Sequence, residues 1–228
     1  MHKGHSYIMP TTDNFYGNIE WSHFNLPNIP IYQTKLPDDI INRLWKYIDK
    51  AKENFNDSLA GNIHESLTLV DEDDYFMKYV VGPIAQMYVN HEHCVTWVQN
   101  NHTHRSKSLT MNRFWVNFQN QHEFNPIHNH GGVVSFVIWM RIPTEYQDQH
   151  DIPFCKNSNA PSASDFQFTY SDILGNHQDY RIKMGGFQEG WILVFPAQLR
   201  HLVYPFYNCD VQRVSISGNV SWNATDLL

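Results

Sequence analysis

Residues 127–142 read Ile-His-Asn-His-Gly-Gly-Val-Val-Ser-Phe-Val-Ile-Trp-Met-Arg-Ile. The run Val133–Ile142 is β-branched and aromatic, with Gly131-Gly132 before it and Pro143 after it, the pattern of a strand between turns. Ser135 and Arg141 interrupt it, and it is far shorter than the roughly 20 apolar residues that span a bilayer. Just ahead of it stand His128 and His130. On extended chain, side chains at i and i+2 project to one face, so two imidazoles there can reach a single metal ion. Two surface histidines at a turn would have the same spelling.

Working outward, the region after Cys94 is a succession of similar runs: Val95–Val98, Leu109–Gln119, Phe166–Tyr170, Tyr180–Met184, Trp191–Phe195, His201–Tyr207 and Val211–Trp222. About eight short strands in roughly 130 residues predict a sandwich or a jelly roll. The polar stretch Tyr146–Ser164 is expected to be a long loop. Ahead of the strands the period changes. Ile40, Ile41, Leu44, Trp45, Ile48 and Phe55 follow helical spacing after Pro37, and Asp38 and Asp39 suit the positive end of a helix. A second helical run covers Asp73–Asn90, where Pro83 should kink or split it. Residues up to about Ile31 read as extended chain with a short strand, Ile29–Gln33. The prediction is one domain over 1–228: an extended and helical N-terminal support over 1–94 and a jelly-roll catalytic core over 95–228.

The chain has 228 residues, a net charge of -7, 14 histidines and 3 cysteines. The acidic balance argues against binding to duplex nucleic acid. Cys94, Cys155 and Cys209 form no CxxC pair, which excludes a disulfide scaffold and a cysteine-based zinc finger. The first twenty residues hold no apolar core of a secretory signal, so the expected setting is cytoplasmic and without a membrane span.

A third histidine, His201, follows the apolar run Trp191–Phe195 and Pro196 and opens another candidate strand. It is placed to complete a metal site with the first two, and imidazole suits iron, zinc, copper or nickel. Twelve residues later comes Arg213, which alternates with Val214 and Ile216 together with Ser215 and Ser217. If that face looks inward, Arg213 is a buried cation in need of an anion, and a carboxylate held by the guanidinium fork would satisfy it. If the face is solvated, Arg213 is an ordinary surface arginine.

Trp115-x-Asn117, His128-x-His130, Phe195-Pro196-(x)4-His201 and Arg213-x-Ser215, in that order, resemble the double-stranded β-helix oxygenases that use ferrous iron and 2-oxoglutarate. The pattern looks most like a small subfamily common in marine microbes and phages. The resemblance covers about Met111–Trp222. It implies a mainly β, cupin-like jelly roll packed against about two helices. It further implies that His128, His130 and His201 bind Fe(II). Arg213 would pair with the distal carboxylate of 2-oxoglutarate, with Ser215 alongside and Asn117 as a further cofactor contact. The implied activity is a non-haem dioxygenase that hydroxylates a substrate C–H bond with release of succinate and CO2. The substrate would be a small molecule or a protein side chain.

One position departs from the resemblance: the usual second residue is Asp or Glu, and here it is His130. Three readings follow. All three histidines ligate the metal; or His130 is the first ligand and Gly132 stands where the carboxylate would be; or a carboxylate such as Glu123 or Glu189 enters. Among other residues, Arg113 alternates with Trp115 and Asn117 and could reach the site or face solvent. Trp115, Trp139 and Trp191 are expected in the core. His91, His93, His102 and His104 form a second possible metal cluster by count, and the run Asp71–Asp74 reads as a solvated turn and helix start. Two competing functions remain open at this level: a cupin-like three-histidine enzyme that does not use 2-oxoglutarate, and a non-enzymatic β-sandwich binding module.

Overall fold

The computed structural model describes residues 30–91, 94 and 108–223. The expected strand at Val95–Val98, and His93, His102 and His104 of the possible second cluster, lie outside them. Among the described residues, ten strands form two sheets. The larger runs in the order β1-β8-β5-β10-β3-β2 and the smaller β4-β9-β6-β7, and every neighbouring pair is antiparallel. The strands are β1 Tyr32–Lys35, β2 Glu65–Thr68, β3 Leu109–Gln119, β4 Asn125–His128, β5 Val134–Arg141, β6 Phe166–Ser171, β7 His177–Ile182, β8 Trp191–Pro196, β9 Arg200–Val203 and β10 Arg213–Trp222. From β3 onward the chain passes back and forth between the sheets, with β6 and β7 as a hairpin within the smaller one, which makes the core a jelly-roll-like double-stranded β-helix. β1 and β2 extend the two edges of the larger sheet, so the N-terminal part contributes strands as well as helices.

The helices pack on the outer face of the larger sheet. Helix α1, Asp38–Lys50, buries Ile40, Leu44, Tyr47 and Ile48; it stops short of Phe55, because the chain turns extended at Ala51. The buried residues of α1 meet Phe76, Tyr88, Phe114, Phe136, Ile138 and Ile216 in one apolar cluster. The second helical run is divided as Pro83 demands. A π-helical turn, Met77–Val81, precedes α2, Gly82–Asn90, with Pro83 in the first turn of α2. Proline has no N–H to donate, and the Gly82 N–H reaches back five residues to Met77 O. Asp71 does more than solvate a turn. Its carboxylate accepts the N–H groups of Phe76 and Met77 at 2.8 Å each and the Tyr47 hydroxyl at 3.2 Å, tying α1 to the start of this run.

A period of two along β3, β5 and β10 separates this cluster from the interior. Phe114, Val116 and Phe118 face the helices, while Arg113, Trp115, Asn117 and Gln119 line a cavity between the sheets. On β10, Val214 and Ile216 face the helices, and Arg213, Ser215 and Ser217 line the cavity. A second cluster between the sheets, including Trp139, Phe166, Phe168, Leu193 and Phe195, closes off one side.

Several boundaries differ from expectation, all at sheet edges or in connections. Among the described residues the first strand is Tyr32–Lys35 where Ile29–Gln33 was expected, because it pairs with β8 as the outermost strand of the larger sheet. β7 begins at His177 rather than Tyr180 and is largely exposed. β9 ends at Val203, two residues short of Pro205. The Tyr146–Ser164 stretch holds two short helices, Tyr146–His150 and Pro153–Lys156. β2 and β4 were not expected. Glu65–Thr68 is polar and lies at an edge, and Asn125–His128 contains Pro126 and pairs with one neighbour only.

Candidate metal centre

β4 and β9 lie antiparallel with His128 directly opposite His201. His130 follows two residues on, where its main-chain N–H donates to Ala197 O at 2.8 Å. The turn then depends on Gly132, whose φ of 113° is the left-handed region that a side chain disfavours. A Cβ there would also lie 2.9 Å from Val220 O, the acceptor that takes the next N–H, from Val133. The three imidazole rings converge: centroids are 4.3 Å apart for His128 and His201, 4.9 Å for His128 and His130, and 5.0 Å for His130 and His201. One ring nitrogen from each lies within 4.8 Å of the others. The reading of two surface histidines at a turn does not hold: His128 and His130 are half-buried, and their rings face His201, which is only 4% exposed.

Two of the rings are oriented by the same device. His128 Nδ1 lies 2.7 Å from Pro126 O, and His201 Nδ1 lies 2.9 Å from Leu199 O. A carbonyl oxygen only accepts, so each Nδ1 must carry the proton, and each Nε2 keeps a lone pair. Burial reinforces the neutral form. It pushes His128 below its ordinary pKa, takes His130 down to about 4 with His128 and Arg113 adding to the effect, and holds His201 well below its ordinary value. Neutral imidazoles with free nitrogens are what a divalent transition metal binds.

The carboxylate alternatives are occupied elsewhere. Glu123 accepts the Asn120 N–H at 2.8 Å within its own turn, and Glu189 accepts the Ile142 N–H at 2.7 Å. Among the described residues, the group able to hold a metal consists of the three histidines.

Arg213 is 2% exposed and lies on the wall of the same cavity, whose volume is about 240 Å³. Its Nη2 donates to the carbonyl (3.1 Å) and the hydroxyl of Ser164. Its Nε and Nη1 are buried without an acceptor. Burial lowers its pKa to about 10, against the raising effect of Asp165, so it remains a cation at neutral pH. Asp165 is itself buried and engages His150 at 3.2 Å. Ser215 and Asn117 are register partners on β10 and β3, and both line the cavity. Asn117 Oδ1 accepts from Ser66 Oγ at 2.8 Å. Trp115 and Trp139 are buried as expected and also wall the cavity; Trp191 is half-buried. Ser164 and the 58–63 segment were not anticipated as parts of the site. Only their tertiary placement brings them to Arg213 and to the cavity.

Residues 113–219 match the family model described as "Putative 2OG-Fe(II) oxygenase". The matched span contains the three histidines, Arg213, Ser215 and Asn117. Among solved structures, the chain is similar to a Pseudomonas putida prolyl-4-hydroxylase, with 12% identity, 85% of this chain and 93% of that chain covered, and a TM-score of 0.44. It is also similar to an oxidoreductase of the 2OG-Fe(II) oxygenase family from Burkholderia pseudomallei, with 13% identity, coverage of 83% and 85%, and a TM-score of 0.43. No curated protein matches the chain.

Proposed function

We propose that the protein is a non-haem iron, 2-oxoglutarate-dependent dioxygenase that hydroxylates a C–H bond and releases succinate and CO2. The observation that carries this reading is Arg213. A buried guanidinium with two nitrogens lacking acceptors is costly unless a ligand supplies the anion. It shares a cavity with three imidazoles whose lone pairs are unclaimed. 2-Oxoglutarate fits this pair of demands: one end is a carboxylate for the guanidinium, the other a keto acid that chelates a metal. A three-histidine enzyme without this cosubstrate would leave Arg213 unpaired.

In this reading His128, His130 and His201 hold the iron. Iron and 2-oxoglutarate, when bound with dioxygen, supply the oxidising power. The chain's own residues do the rest. The carbonyls of Pro126 and Leu199 fix two ring orientations, which keeps the donor nitrogens aimed without rearrangement on binding. Arg213 and Ser215 orient the cosubstrate's far carboxylate, and Asn117 borders it. Trp139, Phe166 and Phe195 exclude water from one side of the cavity. The H-x-H spelling places an all-nitrogen ligand set where the resemblance expects a carboxylate.

Calorimetric titration of 2-oxoglutarate into iron-loaded protein under anaerobic conditions tests the reading. Saturable binding that disappears in Arg213→Met, with iron content unchanged, is the expected result. Binding that is indifferent to Arg213 would overturn it.

A further inference from the structure

The cavity holds a second arginine, which the proposed function does not use. Arg113 lines the same wall as Arg213, on the β3 face that also carries Trp115, Asn117 and Gln119. The two cations stand at opposite ends of that face. Arg213 pairs in register with Gln119, and Arg113 lies six residues along β3, opposite Asn219. At about 3.3 Å per residue this separates the two strand positions by roughly 20 Å. Arg213 is deeply buried, whereas Arg113, Asn129 and Gly131 are exposed and mark the mouth. Arg113 makes no hydrogen bond or ion pair among the described residues, and its charge is felt by His130. Next to it, Trp115 is 3% exposed, sets its ring 5.7 Å from that of His130, and has a buried Nε1 donor without an acceptor.

Among the described residues, the cavity wall carries no aspartate or glutamate, although the chain has 23 of them. A divalent metal held by three neutral imidazoles keeps its full charge, and both arginines add to it. A 2-oxoglutarate dianion stretched from the histidines to Arg213 offsets half of that total and extends away from Arg113. Among the described residues the mouth stays positive, with a guanidinium that has no partner and a buried indole donor without an acceptor beside the metal centre.

We propose that Arg113, assisted by Trp115, binds a carboxylate of the primary substrate, so that the substrate class is small carboxylic acids, amino acids included. This rests on the function proposed above. A single guanidinium matches one carboxylate in a two-point fork. A phosphate would call for a further cation, and the described wall at this end has none. The modest cavity volume favours a small molecule over a folded partner. Arg113 is thus a specificity-determining residue, placed where the substrate enters.

The test uses the full chain loaded anaerobically with Fe(II) and 2-oxoglutarate. The probes are the protein amino acids and short aliphatic monocarboxylates, each run beside its primary amide. Two readouts are followed: the visible metal-to-ligand charge-transfer band and the thermal midpoint. The expected result is saturable binding of at least one carboxylate with loss of binding for its amide. Arg113→Gln should weaken that carboxylate by about tenfold or more, Arg113→Lys should weaken it less, and Trp115→Phe should weaken it several-fold. The affinity for 2-oxoglutarate should change less than twofold in Arg113→Gln. The proposal is overturned if no carboxylate saturates, if amides bind as well as acids, or if Arg113→Gln binds the carboxylate as wild type does. Absence of the charge-transfer band would count against the proposed function. The carboxylate titration is then read from the thermal midpoint alone, wild type against Arg113→Gln, so the two failures stay separate.

Discussion

His128 and His201 face each other across the β4–β9 pair, and each donates its Nδ1 proton to the carbonyl two residues before it. The strand pairing fixes where the rings are, and the carbonyls fix which nitrogen is free. Removing either ring should therefore abolish the metal site without dismantling the sheet. His128→Ala and His201→Ala are each expected to lower Fe(II) affinity by roughly 100-fold or more, consistent with the loss of one of three ligands. Metal content after equilibrium dialysis, with circular dichroism to verify folding, checks this. Retained stoichiometric iron in the double variant would contradict it.

Arg213 allows its ligand role to be separated from a structural one. Its guanidinium is desolvated with only Ser164 as a hydrogen-bond partner, so replacing it by an apolar side chain of similar length removes a destabilising burial. Arg213→Met is expected to unfold in urea at the same midpoint or a higher one, while 2-oxoglutarate binding weakens by about 100-fold, the worth of one or two charge-assisted hydrogen bonds. A large loss of stability would mean that Arg213 chiefly holds the fold together.

The histidine shifts carry a pH signature of definite sign. His130 titrates at about 4 in the fold and at about 6.5 in the unfolded chain. Between those values the unfolded chain binds more protons, so the metal-free protein loses stability as pH falls from about 6.5 towards 4, with the full penalty present below 4. His128 and His201, also lowered, act in the same direction. Protons compete with metal only where the folded imidazoles accept them. Zinc affinity is therefore expected to fall off at a lower pH than it would with ordinary histidines, because all three folded imidazoles are shifted down. Metal titrations across a series of pH values check the point.

Gly218 is the place where the helix-side core and the cavity wall meet. A Cβ there would lie 2.6 Å from a carbon of the Phe136 ring and 2.8 Å from Arg113 O. Gly218→Ala must separate β10 from β3 or displace Phe136 from its contacts with Phe76 and Phe114, and is expected to cost about 1–3 kcal/mol in chemical denaturation. The strand shift should also disturb the proposed carboxylate site at Arg113.

Much of this was legible in the sequence, for physical reasons that vary by element. β3 appears at its expected bounds, and β5, β8 and β10 within a residue or two of theirs, because each is central and apolar on the face towards the helices. The strict alternation of Arg213, Ser215 and Ser217 with Val214 and Ile216 told which residues share a face, and the fold turned that face inward. The spacing of His128 and His130 predicted a shared face as well. What sequence could not supply was the partner across the sheet. β4 holds Pro126 and pairs only with β9, so nothing local marks it as a strand. The Ser164 contact to Arg213 and the vacant Nε1 donor of Trp115 are tertiary facts without a local signal, and the Nδ1 bonds to Pro126 and Leu199, although only two residues long, follow from ring orientations that the sequence pattern does not mark. The position of His130 beside His128 and His201, with Glu123 and Glu189 engaged elsewhere, likewise needed the fold.

In the proposed function, three histidines and Arg213 together hold iron and 2-oxoglutarate. Anaerobic titration of the purified protein with Fe(II) and then 2-oxoglutarate, followed by visible absorption, puts this to the test. A metal-to-ligand charge-transfer band that saturates in wild type, vanishes in His130→Ala and His201→Ala, and needs far more 2-oxoglutarate in Arg213→Met is the predicted result. No band from folded, iron-loaded wild-type protein, or a band unchanged by His130→Ala, would contradict it.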